Sequence, residues 1–547
     1  MIQPGFTPLL LAHLAIPFVT LIHGALIAVM LQSRITLSDT HDKLVGVVVT
    51  GFALSILINT ALATLLAVAG LSIHYLLGFL LLLDVLLAIY LIIDKQIGIN
   101  VTGGSSLIWI IASVVFIIMV NNGGLINILA DSWWHMSLAN QIHDSGTIFS
   151  DQHHFNGNPK SELDFVYEPG WHISLALIAK LSNAPLPLVW HTLGAWCSAL
   201  TVLSYYYFAR VLTEDNKVAL GAVVLFVVLL GGINAFFRVS PWPGNVAYIF
   251  LYLSIAYFFA LMDQIDVAQQ KSIDSILPVR VVIRSLVQAP VLTITTFLII
   301  ITIAVVHLAE GLWLVAAFIF YAYFLSSLQK KRAKAESDAV VIQFSWILFF
   351  LFWGVLIAVD HSEFLNTTII VLAYLTINTI AIRLLTSTSE FASHLIVRIV
   401  ASGVIMISTL WFIDINHLAE LFRPEIIKTG YYSDYIPKYL WFEFDEVWLN
   451  LPKWEHQLRV GLLFSGVVSV MISFWLVAKE QSRATIFLFG CAIFSSLILI
   501  SPYLFTFFGL LVSFTGVYRF EILIFHPVII AMAILYIYRQ TVVDKHE

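Results

Sequence analysis

Acidic and histidine side chains are concentrated in one stretch, "ILADSWWHMSLANQIHDSGTIFSDQHHF" at residues 128–155. Within it, Asp131 and His135 are four residues apart, a spacing that a helix places on one face. A carboxylate or an imidazole within reach of a hydroxyl group can act as a general base. The pattern therefore predicts a catalytic role for Asp131 and His135. In the alternative reading, Asp131 caps a helix and His135 is a solvated surface residue.

A second group in the same stretch consists of Asp151, His153 and His154. Carboxylate and imidazole groups are suitable ligands for divalent cations, although the D-x-H-H spacing matches no closed zinc signature. These three residues are the candidates for a metal site, and a magnesium or manganese ion is the one cofactor that we consider. The alternative is a polar loop without a ligand.

Further polar residues occur at the boundaries of hydrophobic segments, where ionisable groups are costly and are functional candidates. An arginine in such a place can bind a lipid phosphate through two parallel hydrogen bonds. For Arg519 the alternatives are a side chain that extends to the interface or one that pairs with Glu521. The candidates for binding substrate or phosphate are Glu168, His172, Arg238, His307, Glu310, Tyr518 and Arg519.

The sequence around these groups is strongly apolar. Of 547 residues, 60% are hydrophobic and 11% are charged, whereas soluble domains contain about 25% charged residues. Runs of roughly 20 apolar residues are long enough to cross a bilayer, and backbone groups in lipid must bond within a helix. We therefore predict an all-α polytopic membrane protein, a single domain over residues 1–547, with about 13–15 transmembrane helices.

The distribution of Lys and Arg predicts the sidedness of the membrane segments. Most of these residues fall in alternate connections, and the run "QKKRAK" at 329–334 is the strongest anchor. Because positive residues are enriched on the cytoplasmic side, the N-terminus and two long polar segments, 129–185 and 414–459, are predicted on the outer face.

The two outer loops have different compositions. In the first, residues 131–145 read as a helix lying along the interface and ended by Gly146, and residues 171–182 form an apolar helix too short to span the bilayer. We expect that short helix to be interfacial or re-entrant. The second loop is rich in aromatic and acidic residues, which is typical either of a sugar-binding cleft or of an amphipathic helix on the membrane.

Several function classes find no support in the sequence. It contains no GxxxxGK[ST] or GxGxxG signature for nucleotide binding, and a net charge of −6 argues against a nucleic-acid partner. Cys197 and Cys491 both fall inside predicted spans and offer no disulfide framework.

Four segments in this order, "DSWWHMSLANQI", "YEPGWHISLALIAKL", "HLAEGLW" and "YRFEILIFHPVIIAMAI", resemble the GT-C superfamily of integral-membrane glycosyltransferases. The resemblance implies a GT-C-like fold and a polyprenyl-phosphate-linked sugar donor. It implies transfer to a glycan, lipid or protein acceptor at the periplasmic face of a bacterial inner membrane. It assigns Asp131 as the base, assisted by His135, and places Arg519 and Arg238 at the donor phosphate.

Two other functions remain open. An O-antigen-type polysaccharide polymerase or ligase would also use lipid-linked glycans outside, but such enzymes favour arginine-rich outer loops and outer Lys and Arg are sparse here. A membrane transporter would need ionisable residues near the middle of the membrane, and the sequence indicates His526 and little else.

Overall fold

The structure is a computed structural model. It describes residues 6–34, 42–93, 106–122, 130–148, 169–230, 241–269, 289–307, 468–480, 482–500 and 518–543, with isolated positions at 310–311, 313–314, 317–318, 321, 400 and 403–404. All secondary structure in these ranges is helical, which confirms the all-α prediction. The chain divides into two compact units, one of Met1–Leu314 with Pro527–Glu547 and the other of Val315–His526.

Most of the described helices belong to the first unit. They are α1 (Phe6–Pro17), α2 (His23–Arg34), α3 (Lys43–Val68), α4 (Leu76–Ile93), α5 (Ser106–Asn122), α6 (Ala130–Ser145), α7 (Gly170–Ser182), α8 (Leu186–Thr213), α9 (Asn216–Leu225), α10 (Pro243–Gln269) and α11 (Pro290–Val306). A π-helical turn (Phe18–Ile22) joins α1 to α2, another (Phe226–Leu230) extends α9, and a 3₁₀ turn (Ile73–Tyr75) precedes α4.

The second unit contains two further apolar helices, α12 (Val468–Lys479) and α13 (Arg483–Ile500), and a 3₁₀ segment (Tyr518–Ile524). The last helix, α14 (His526–Val543), begins at the final residue of this unit and continues as part of the first unit.

Six helical segments among the described residues are long and apolar enough to cross a membrane, which supports the prediction of a polytopic membrane protein. They are Thr7–Leu31, Lys43–Val68, Ile73–Ile93, Leu186–Thr213, Pro243–Gln264 and Ile522–Thr541. Shorter apolar helices include α5, α11 and α13. Other predicted spans, such as those near 341–359 and 367–385, lie outside the described residues.

The helices of the first unit differ in how much of their surface is buried. In the most apolar window of α10, 94% of the residues are buried, whereas in the span containing α4 the share is 17%. Aromatic rings fill the interior around α10: Tyr252 lies edge-on to Tyr205, which stacks on Phe226 at a centroid distance of 4.2 Å. The broad apolar face of α4 suits contact with lipid, since a patch of that size is rare on soluble proteins.

The connections of the first unit gather into two groups. In one, the Ile73 amide donates to the Gly146 carbonyl at 2.8 Å and Trp171 Nε1 donates to the Pro241 carbonyl at 2.8 Å. We call this group the His172 end. In the other, the Asp215 end, Arg539 donates to the Asp215 carboxylate. Since α8 connects the two groups with 28 residues, they are about 42 Å apart along that helix.

Candidate functional site

Helix α6 carries the first candidate residues. It begins at Ala130 and ends at Ser145, and Gly146 follows with a φ of 69°. A left-handed residue after the last turn is a common helix terminator, and glycine adopts it without a steric penalty. The predicted helix over 131–145 and its end at Gly146 are therefore confirmed.

Helix α7 carries His172 and is surrounded by other helices. It covers the predicted 171–182 segment, and nearly all of its residues are buried. A Cβ on Gly170 would lie 2.6 Å from the Val305 carbonyl oxygen and 2.8 Å from Thr60 Oγ1. Only glycine allows this close approach to α11 and α3. The expected interfacial or re-entrant helix is thus a packed element of the first unit.

His135 and His172 meet between these helices. His135 Nδ1 and His172 Nε2 are 3.1 Å apart, and the two residues are 4% and 1% exposed. A hydrogen bond between imidazole nitrogens needs a hydrogen on one and a lone pair on the other. The solvated alternative for His135 is therefore wrong, because this ring is buried and has a specific partner.

Tryptophan rings surround the two imidazoles. His135 stacks on Trp190 of α8 with a centroid distance of 5.9 Å and an interplanar angle of 16°, and Trp134 lies edge-on to both histidines. Beside them, Trp242 Nε1 donates to Ser132 Oγ at 3.0 Å. These contacts fix α6 against α8 and against the start of α10, so the imidazoles have defined orientations.

A second polar pair lies after the end of α11. His307 Nδ1 is hydrogen-bonded to the carboxylate of Glu310, which is fully buried. His307 follows Val305 by two positions, and the Val305 carbonyl faces Gly170 at the start of α7. The His307–Glu310 pair therefore belongs to the same end of the unit as His135 and His172.

The other candidates are described in part or not at all. Asp131 lies in the first turn of α6, one helical turn before His135. Tyr518 and Arg519 lie in the 3₁₀ segment of the second unit. For these three residues the structure describes the backbone and not the side chain. Candidates outside the described residues are Asp151, His153, His154, Glu168 and Arg238, together with the whole segment 414–459. Within the described ranges, no three His, Cys, Asp or Glu side chains are grouped as metal ligands.

Some groups that the sequence reading singled out have ordinary partners. His143 Nδ1 contacts the Asp144 carboxylate at 2.8 Å on the exposed face of α6. In the second unit, His526 Nδ1 contacts Ser469 Oγ at 2.8 Å and is buried. Cys197 and Cys491 are buried and form no disulfide bond.

More ionisable groups lie inside the membrane-length helices than the sequence predicted. His23 and Asp84 are both buried within membrane-length helices, with 3.9 Å between His23 Nδ1 and Asp84 Oδ1. This corrects the expectation that His526 is nearly alone. A signal was present, because Asp84 is the single acid in "LLGFLLLLDVLLAIYLII" and a lone acid in such a run is a functional candidate.

Carboxylates at the Asp215 end have structural roles. Asp42 caps α3 by accepting from the Val45 amide at 3.2 Å, and burial raises the pKa of its carboxyl group. Asp215 caps α9. Burial raises the pKa of Asp215, but the amides of Lys217 and Val218 and the Arg539 guanidinium outweigh this effect and lower it overall.

No protein-family model matches the sequence, and no curated protein matches it. The resemblance to the GT-C superfamily therefore remains a prediction from the sequence.

Proposed function

We propose that the protein is a GT-C-type glycosyltransferase that moves a hexose or pentose from a polyprenyl-phosphate donor to a glycan, lipid or protein acceptor. We place it in a bacterial inner membrane with its site on the periplasmic face. The buried contact between His135 and His172 carries this proposal. Both residues were selected from the sequence for this chemistry, although 37 positions separate them.

Asp131 is the proposed general base. In this reaction the acceptor oxygen attacks the anomeric carbon, the bond from that carbon to the phosphate oxygen breaks, and the lipid phosphate leaves with the electron pair. Asp131 takes the proton from the acceptor hydroxyl, a role that contributes about 10²- to 10⁴-fold to the rate. A single displacement of this kind inverts the configuration of the sugar carbon.

The histidine pair is proposed to assist the base. His135 follows Asp131 by one helical turn, so both fall on one face of α6. The contact with His172 and the stacking on Trp190 hold the His135 ring in one orientation. An assisting group held in a fixed geometry is more effective than a mobile one, because orientation is achieved before the reaction begins.

The remaining candidates bind the donor or acceptor in this proposal. Arg519 and Arg238 stabilise the negative charge that develops on the departing phosphate. Sugar hydroxyls or the phosphate are bound by Glu168, His172, His307, Glu310 and Tyr518. A magnesium or manganese ion held by Asp151, His153 and His154 would add positive charge near the phosphate, and no step above depends on it.

Transfer by purified protein in nanodiscs tests the proposal, with a panel of polyprenyl-phosphate hexoses and pentoses as donors. We expect Asp131→Asn to abolish transfer, while His135→Gln and His172→Gln reduce it by about 10²-fold. Asp144→Asn is the matched control, because Asp144 lies on the same helix and is exposed, and it should retain full activity. Unchanged elution in size-exclusion chromatography would show that each variant is folded. Full transfer by Asp131→Asn would end the base assignment.

A transporter is the second candidate function. The observation in its favour is the His23–Asp84 pair inside the apolar helices, since transporters use ionisable groups at membrane depth. Proton-linked solute uptake by reconstituted protein, with no transferase activity on any donor of the panel, would favour it over the glycosyltransferase.

A further inference from the structure

His23 and Asp84 form an isolated ionisable pair in the first unit. His23 is fully buried at the start of α2, and Asp84 is 8% exposed in a helix whose other face is largely exposed. Asp84 lies close to the middle of the span Ile73–Ile93. Ionisable groups at this depth are costly, so a fold that buries two of them together has a use for them.

The backbone around His23 is irregular. The π-helical turn Phe18–Ile22 ends directly before His23, and Pro17 precedes this turn. Proline has no amide hydrogen to donate, and π-turns inside α-helices are frequent at functional sites. The irregular turn therefore marks His23 independently of its contact with Asp84.

Close packing of α2 against α3 determines the surroundings of His23. The Gly24 amide donates to Ser55 Oγ at 3.0 Å, and a Cβ on Gly24 would lie 2.0 Å from the Gly51 carbonyl oxygen. As a result His23 Nε2 lies 3.4 Å from the Ser55 carbonyl oxygen. A carbonyl oxygen can only accept, so Nε2 carries the hydrogen in this contact.

The polar atoms around His23 that have no hydrogen-bond partner are acceptors. With its hydrogen on Nε2, a neutral His23 ring presents the lone pair of Nδ1 to the Asp84 carboxylate. Asn59 donates through Nδ2 to the Val19 carbonyl at 2.8 Å. Among the described residues, His23 Nδ1, Asn59 Oδ1 and both oxygens of Asp84 are buried without a hydrogen-bond partner. When His23 is neutral and Asp84 is ionised, these acceptors therefore face one another with no proton between them.

We infer that His23 and Asp84 together bind one exchangeable proton inside the membrane. A proton on either group converts two facing acceptors into a donor and an acceptor. No other ionisable residue lies within five positions of His23 or Asp84 in the chain. Those on the same helices and on the elements packed against them are His13, Arg34, Lys43, His74, Tyr75 and Tyr90. Along these elements, His23 and Asp84 are therefore each other's nearest ionisable partner.

Infrared difference spectroscopy of the full-length protein in nanodiscs tests this inference. When the pH is lowered, the wild type should gain a carboxylic-acid C=O band at the high frequency of a group shielded from water, apart from the absorption of the exposed carboxyl groups, and this band should shift in D₂O. Asp84→Asn should lose this band, and Asp144→Asn should retain it, because Asp144 belongs to an exposed His–Asp pair. His23→Gln should keep the band but change its midpoint, since glutamine can still donate to the Ser55 carbonyl without titrating.

Three results would overturn the inference. The first is a band that persists in Asp84→Asn, and the second is an unaltered pH midpoint of the band in His23→Gln. The third is loss of the band when sodium is added at constant pH, which would indicate a metal-cation site. If Asp84→Asn does not fold, Asp84→Glu serves instead and should show a band at a changed frequency. The readout is independent of sugar transfer, so it remains decisive even if the glycosyltransferase proposal fails.

Discussion

His135 and His143 lie on the same helix but have different surroundings. His135 is buried between tryptophan rings and bonded to His172, whereas His143 is partly exposed beside the still more exposed Asp144. Water and salt screen the interaction of an exposed pair, and such pairs contribute little energy. A hydrogen bond in a buried site is electrostatically stronger. At the scale of single residues, His135 is therefore the better candidate for chemistry.

Asp215 provides a test of stability against pH. Burial raises its pKa, but the hydrogen bonds and the charge of Arg539 bring it below its usual value. A carboxyl group with a lowered folded-state pKa stabilises the fold above its unfolded pKa of about 3.9, and this stabilisation is lost as the pH falls through the folded value. Asp215→Ala should lower the free energy of unfolding at neutral pH by about 1 kcal/mol through loss of the cap.

Denaturant unfolding in detergent at several pH values measures this effect. The difference between wild type and Asp215→Ala should narrow under acid conditions, because the wild-type carboxyl then becomes protonated. Asp215→Asn keeps a capping side chain and loses only the charge. At neutral pH it should therefore lose less unfolding free energy than Asp215→Ala. If the loss of unfolding free energy in Asp215→Ala is the same at every pH, the charge of Asp215 does not contribute to stability.

Individual helices were predictable where the sequence carries local signals. Gly146 indicated the end of α6, and the short apolar run after Pro169 indicated α7. The burial of α7 was not predictable, because it depends on contacts of Gly170 with residues about 110 and 135 positions away in the chain. Asp84 was overlooked for a different reason: in an average over an apolar window, a single acid hardly changes the hydropathy.

Glycines at helix contacts give a test at the scale of elements. A Cβ added at Gly170 or Gly24 would meet backbone atoms at 2.6 Å and 2.0 Å respectively, whereas at Gly78 it would meet nothing within 4 Å. Gly170→Ala and Gly24→Ala should each destabilise the protein by about 1–3 kcal/mol, because the helices must move apart. Gly78→Ala is the matched control and should be neutral or slightly stabilising, since alanine favours helix.

Thermal unfolding of the purified variants measures these effects. In addition, Gly170→Ala should reduce transfer activity in the proposed reaction, because Gly170 lies two residues before His172. A Gly170→Ala protein as stable as Gly78→Ala would contradict the tight contact between α7 and α11.

At the scale of the whole molecule, the contacts of the first unit agree with the alternation of sides deduced from charge. Segments predicted on the outer face contact one another: Ile73 bonds to Gly146, Trp171 bonds to Pro241, and Trp242 bonds to Ser132. Segments predicted on the cytoplasmic face, around 215 and 539, also contact one another. Hydropathy and the positive-inside rule carry this information because both depend on local composition alone. The second outer loop, 414–459, remains a prediction.

Labelling of introduced cysteines tests this topology. Both native cysteines are buried, so the background reaction with a membrane-impermeant maleimide should be low. Leu71 is exposed in the connection between α3 and the 3₁₀ turn that precedes α4, and Lys217 is exposed in the first turn of α9. Because Leu71 belongs to the His172 end, Leu71→Cys should react in intact spheroplasts. Lys217→Cys, at the Asp215 end, should react only after the membrane is permeabilised. The reverse pattern would place the His135–His172 contact on the cytoplasmic side, where a periplasmic transfer reaction is impossible.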